Sequence, residues 1–173
     1  GGFTVGMTDK KNNYTFVDID PDLLEVSEKY FLPEKLSANK KFIASSARAF
    51  VHGNEGKYDF VFIDVFTNKM SIPMECTTRE FLLDVKALLK DKAVVLANII
   101  SNPTFSDKFT VRYHNTFASV FPIFSRQIIG KTNLWGDDED VAENVFYMYF
   151  NNKYTHDNSI YTDDKNTYSI DRK

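Results

Sequence analysis

Two short apolar runs in this chain stop on acids. "YTFVDID" (residues 14–20) closes on Asp18 and Asp20, and "YDFVFID" (residues 58–64) closes on Asp64. An acid in such a place can serve as a turn or cap, bonding its own backbone. At the carboxyl end of a parallel strand it can instead face a ligand lying in the crevice above the sheet. On the second reading Asp18 is placed to accept both hydroxyls of a ribose, and Asp64 ends the next but one strand on the same rim. "GGFTVG" (residues 1–6) adds a glycine-rich turn, with Gly2 where backbone can approach a nucleotide closely. Spacing alone leaves both readings of Asp64 open.

Positioning those residues takes alternating strands and helices. After residues 14–20, "DPDLLEVSEKYF" has helical spacing, with Asp20 as N-cap, Pro21 in the first turn, and Leu23, Leu24, Ser27, Tyr30 and Phe31 on a core face. "KKFIASSARAFV" reads as strand, loop and short helix, with Arg48 and His52 flanking that helix. Residues 60–63 suit a strand buried on both faces. "TTREFLLDVKALL" reads as a helix in which Thr77 and Glu80 have capping-box spacing. "AVVLANII" is a buried strand, and "SDKFTVRYHNTFASVF" a helix with Phe109, Tyr113, Phe117 and Val120 on one face. Two last strands follow in "SRQIIG" and "NVFYMYF". The alternation predicts an α/β fold with a mostly parallel, doubly wound sheet.

Composition narrows the classes. With 173 residues, 43% apolar content and 16 Phe, the chain can form one sizeable core. A net charge of −3 and the lack of a basic patch argue against a nucleic-acid partner. No apolar run approaches the roughly 18 residues of a membrane span. The one cysteine, Cys76, excludes an internal disulfide and suits a reducing, cytoplasmic setting. His52, His114 and His156 are scattered, so no metal site is expected. The acids from Asp137 to Asp140 read as a solvated loop, and Trp135 as a pocket cover or edge residue. The expected division is a nucleotide-binding domain over residues 1–150 and a polar tail over 151–173. No strand precedes "GGFTVG", so the first strand of the unit is expected to be missing; the competing reading takes the glycines as a cloning remnant.

In order and wording, "FVDIDPDLLEVSEKYFLP", "SSARAFV", "KYDFVFIDVF", "SIPMECTTREFLLDVKALLKDKAVVLANIIS" and "VRYHNTFASVFP" resemble the spermidine-synthase-like (polyamine aminopropyltransferase) family. The chain is most similar to bacterial spermidine-synthase-like proteins, over roughly residues 1–150. The resemblance implies a Rossmann-like, class I S-adenosylmethionine-dependent methyltransferase fold whose last strand is antiparallel. It implies S-adenosylmethionine or its decarboxylated form as co-substrate, with no permanently bound cofactor. Gly2, Asp18, Ile19, Ser46 and Ala47 would lie around the nucleoside, Asp18 on its ribose and Ile19 beside its adenine. Asp64 would be the catalytic carboxylate, acting on a small-molecule amine, and a homodimer is compatible with the family.

The chain also departs from that pattern. Family members carry Asp-Ser/Thr-x-Asp-Pro after the fourth strand, and the second acid helps to hold the polyamine. Here Asp64 is followed by "VFTNK", so Asn68 and Lys69 stand where an anion is needed. Ser46 replaces the acid expected before "AR". The sequence therefore predicts a transferase moving an aminopropyl or methyl group to an amine, with an incomplete polyamine site. The alternatives are a non-catalytic ligand-binding or dimerisation domain that keeps the fold and, third, an NAD-binding oxidoreductase.

Overall fold

The computed structural model describes residues 9–67, 71–129 and 142–151. Gly2, Asn68, Lys69, Trp135, the acids 137–140 and the tail beyond residue 151 lie outside them. Among these residues six strands and four helices follow one another, alternating as far as β5: β1 (Tyr14–Asp18), α1 (Leu23–Tyr30), β2 (Lys40–Ala44), α2 (Ala47–Gly53), β3 (Tyr58–Ile63), α3 (Arg79–Ala87), β4 (Leu89–Ser101), α4 (Lys108–Val120), β5 (Phe124–Ile129) and β6 (Glu143–Phe150). A short 3-10 turn, Met74–Cys76, precedes α3.

The strands form two sheets among the described residues. β1 pairs with β2 in parallel, and a four-stranded sheet runs β3-β4-β6-β5. β3 and β4 are parallel, while β6 is antiparallel to both β4 and β5, with Ile99 opposite Val145. The reversed last strand agrees with the sequence-based expectation. The doubly wound sheet, however, is split between β1 and β3. Among the described residues each of these strands has one unpaired edge, and residues of both, Val17 and Val61 among them, line one cleft together with Ala47 of α2.

Helices α3 and α4 cover one face of the larger sheet because apolar residues recur at helical spacing on both. Phe81, Leu82 and Val85 from α3 and Tyr113, Phe117 and Val120 from α4 are buried against Val95, Ala97, Val145 and Tyr147. Tyr147 sits at the centre, with its ring 5.1 Å from Phe117 and 5.4 Å from Tyr113. Lys86 Nζ donates to the Val120 carbonyl at 2.6 Å and so ties α3 to the end of α4. Asp84 of α3 forms an ion pair with Arg48, 3.2 Å from its Nη1, and lies 3.1 Å from His52 Nδ1, which pins α2 alongside.

The opposite face is different. Along β4 the residues Val95, Ala97 and Ile99 are buried, and the alternate set Val94, Leu96, Asn98 and Ile100 is only half-buried. Phe60 and Phe62 of β3 share that second face and are 54% and 47% exposed. The expectation that this strand is buried on both faces fails. A continuous apolar run marks such a strand only when neighbours cover both sides, and the described residues supply cover on one.

Helix ends also moved. α1 begins at Leu23 with Asp22 as N-cap, while Asp20 Oδ1 instead accepts the Asp22 amide in the preceding turn. Tyr30 and Phe31, read as core, are 65% and 76% exposed, since Ser27 is the one α1 residue that is buried. α3 is capped by Thr78, whose Oγ1 accepts the Phe81 amide at 3.2 Å; Thr77 instead donates to the Met74 carbonyl. In α4, Thr110 is buried and Phe109 is 42% exposed, so the face is rotated by one residue at its start.

Candidate functional site

The carboxyl ends of β1, β2, β3 and β4 carry the polar residues that sequence spacing singled out. Asp18 is the last residue of β1 and is half-buried. Its carbonyl accepts the Ser45 amide at 2.8 Å, which locks the ends of β1 and β2 together. Its Oδ1 accepts the Asp20 amide at 2.9 Å, fixing the side chain in an Asx turn and leaving the other carboxylate oxygen open among the described residues. Ile19 projects beside it, 75% exposed. An acid with one oxygen anchored and one open, next to a standing apolar side chain, suits a ribose hydroxyl pair flanked by a base.

Ser46 starts the next element. Its Oγ accepts the Ala49 amide at 3.1 Å as the N-cap of α2. That bond occupies the oxygen in capping, so Ser46 has less to offer a ligand than the acid it replaces. Ala47 follows at the wall of the cleft between β1 and β3. Gly2 falls outside the described residues.

Asp64 lies one residue beyond β3 and is exposed. Its Oδ1 accepts from Asn98 Nδ2 at 2.9 Å. Register explains this pair: Phe62 stands opposite Leu96 and Ile63 opposite Ala97, so the next step places Asp64 level with Asn98 on the open face. The carboxylate is thus aimed by a neighbouring strand and takes none of its own loop's amides among the described residues. Sequence reasoning missed Asn98, the one polar side chain in "AVVLANII". Its amide oxygen is buried with no hydrogen-bond partner among the described residues, an uncommon state for such an atom.

The loop after β3 closes at its base, where the Thr67 amide meets the Ser71 carbonyl at 2.7 Å and their hydroxyls lie 2.8 Å apart. Across the rim, the turn after β4 is held rigidly. Asn102 Oδ1 accepts the Thr104 amide and hydroxyl, both at 2.8 Å. Arg126 reaches in from β5, donating to the carbonyls of Asn102 and Pro103 at 3.0 and 3.1 Å and stacking 4.3 Å above the Phe105 ring. Burial works to raise the carboxyl of Asp107, the N-cap of α4, but hydrogen bonds from the Thr110 hydroxyl and backbone amides outweigh it and hold the carboxyl below its usual range. Cys76, buried in the 3-10 turn before α3, has its thiol pushed up to about 11, first by burial and then by Glu75.

A parallel sheet that gains an antiparallel last strand, with acids at the ends of the strands, defines the Rossmann-like methyltransferase class of nucleotide-binding domains. Within that class the chain belongs to the spermine/spermidine synthase family, its residues 4–129 matching the Spermine/spermidine synthase domain. It is 32% identical over 114 residues to a polyamine aminopropyltransferase of Vibrio vulnificus, a match covering 64% of this chain and 38% of that protein. The fold is similar to a probable spermidine synthase from Corynebacterium glutamicum, with TM-score 0.70 and 19% identity, covering 89% of this chain and 53% of the other. Human methyltransferase-like protein 13, in complex with SAH, superposes with TM-score 0.65 at 19% identity, covering 94% of this chain and 69% of that one. The chain therefore spans well under two-thirds of the Vibrio relative, and no helix among its described residues is long and apolar enough to cross a membrane.

Proposed function

We propose that this domain binds a sulfonium nucleoside, S-adenosylmethionine or its decarboxylated form, above the ends of β1 and β2, and transfers a methyl or aminopropyl group to an amine held near Asp64. Asp18 would take the ribose hydroxyls, Ile19 would flank the adenine, and Ser46 and Ala47 would border it; Gly2 is assigned to the same site by sequence. The sulfonium supplies an already activated carbon. The amine nitrogen forms the new N–C bond as the C–S bond breaks, and the bonding pair stays on sulfur as a neutral thioether. What remains for the protein is alignment and removal of one N–H proton. Asp64 is the carboxylate offered for that proton, and Asn98 keeps it facing the crevice.

The observation that carries this reading is the Asp64–Asn98 pair: an exposed carboxylate fixed from the side by a neighbouring strand, with no bond to its own loop among the described residues. Calorimetry with SAH, followed by transfer assays on amines with both sulfonium donors, tests it. Binding of SAH together with loss of transfer in Asp64→Asn supports the proposal, and a parent protein that binds no adenosyl nucleoside overturns it. We assign residues 1–150 to one nucleotide-binding unit, ahead of a polar tail at 151–173.

A further inference from the structure

The turn after β4 is held in a strained form. Phe105 has a backbone φ of 63°, a left-handed conformation that a bulky side chain keeps only where its neighbours enforce it. The Arg126 guanidinium lies 4.3 Å from the centre of its ring, and the His114 ring meets it edge-on at 4.9 Å. Arg126 also holds the backbone of the turn. Its Nη2 and Nη1 donate to the carbonyls of Asn102 and Pro103 at 3.0 and 3.1 Å, and its Nε donates to the Tyr147 hydroxyl at 3.3 Å. It forms no ion pair among the described residues.

A second anchor for Arg126 lies in the same layer. Glu143 stands opposite Ser101 and, by alternation along β6, shares the covered face with Tyr147. Its Oε2 is buried without a hydrogen-bond partner among the described residues. Arg126 stands opposite Tyr147 and already reaches Asn102, the residue after Ser101, so guanidinium and carboxylate are neighbours on one face. Holding the turn thus leaves a carboxylate oxygen unpaired and a residue strained.

His114 can tip that balance. Of the elements packed around it, β5 brings Arg126, β6 brings Tyr147, and the turn brings the Phe105 ring. Asp107 at the start of α4 is taken up by Thr110, and Lys86 of α3 lies at the far end of α4, on the Val120 carbonyl. Burial keeps the Tyr147 hydroxyl neutral, so a proton on His114 adds a second positive charge beside Arg126.

We infer that the turn after β4 is an acid-operated clasp: protonation of His114 moves Arg126 from the Asn102 and Pro103 carbonyls to Glu143, and the turn opens as Phe105 leaves its left-handed conformation. The inference goes beyond the function proposed above and stands without it.

Amide hydrogen exchange followed by NMR on the whole chain tests the clasp. The Thr104 amide, bonded to Asn102 Oδ1, reports on the turn, and the Val95 amide, in the middle of β4, reports on global unfolding. From pH 7 to pH 5 the Thr104 protection factor should fall about tenfold, following the His114 ring titration, while that of Val95 falls less. His114→Phe should keep Thr104 protected at pH 5. Arg126→Lys keeps the charge but loses the fork, and should leave Thr104 poorly protected at both pH values. Glu143→Gln should move the opening to lower pH. Thr104 protection that does not follow the His114 titration in the parent, or that falls equally in His114→Phe, overturns the inference. An equal fall at Val95 overturns it too, because the turn then has no opening of its own.

Discussion

The two faces of the four-stranded sheet use the same strands for opposite purposes. On the face under α3 and α4, alternate residues of β4 and β6 are closed off, and Phe117 and Tyr147 are 0% exposed. On the other face Phe60, Phe62 and Phe150 are 54%, 47% and 55% exposed, and Asp64 and Asn98 lie in the same plane. A period of two along each strand is enough to separate a side that stabilises from a side that presents groups to a ligand. The carboxylate is aimed by strand register, so the packed face fixes the geometry of the open one.

The largest effect should come from the packed face. Phe117→Ala removes a ring that contacts Tyr113, Phe121, Phe124 and Tyr147, all with centroids between 4.8 and 6.2 Å. Chemical unfolding should show a loss of about 3–5 kcal/mol. A loss below about 1 kcal/mol would mean the sheet does not depend on that layer.

On the open face, Asp64→Asn keeps the shape and removes the carboxylate. Transfer should fall on the order of a hundredfold if the group removes the amine proton, with unfolding nearly unchanged because the side chain is exposed. Asp64→Ala separates the two roles. A cap would show itself as a stability loss of about 0.5–2 kcal/mol without any effect on ligands. Asp18→Ala should weaken an adenosyl ligand by about 1.5–3 kcal/mol for each charge-assisted hydrogen bond lost. An unchanged Kd would remove Asp18 from the ribose site.

Phe62→Ala provides the counterpart to Phe117→Ala. Its ring touches Phe146 edge-on at 6.5 Å but is about half exposed. Urea unfolding should register about 1 kcal/mol or less. A loss as large as that of Phe117→Ala would show that both faces are closed in solution, and the comparison between them would collapse.

Much of this contrast could be read in the sequence, and the rest has physical reasons for being hidden. The order of strands and helices, the reversed last strand and the placement of Asp18 and Asp64 follow from periodicity and resemblance. The exposure of Phe60 and Phe62 does not, because a continuous apolar run records what a strand can bury and not what is there to cover it. Asn98 was invisible for a related reason: its partner lies 34 residues away and is chosen by inter-strand register, which no local pattern encodes. The caps stand later than expected, at Thr78, whose Oγ1 accepts the Phe81 amide, and at Asp22, whose position is set by the turn in which Asp20 Oδ1 accepts the Asp22 amide.

The smallest expected effect lies at the edge of the packed face, where His114 meets Phe105, Phe124 and Tyr147 at centroid distances of 4.9, 5.3 and 5.9 Å. Burial, and then the nearby Arg126 guanidinium, lower its pKa below the ordinary 6.5. Its Nδ1 is buried without a partner among the described residues, which offer no acceptor for a proton added there. The unfolded chain then binds the proton more readily than the folded one, and folding favours the neutral ring. The stabilisation is fully present above pH 6.5 and is lost as pH falls through 6.5 toward the lower folded value. Melting temperature should therefore decline from pH 7 to pH 5 in the parent, and His114→Phe should flatten part of that slope while keeping the ring contacts. An identical slope in the two proteins would assign the acid sensitivity to other groups and leave His114 as a packing residue only.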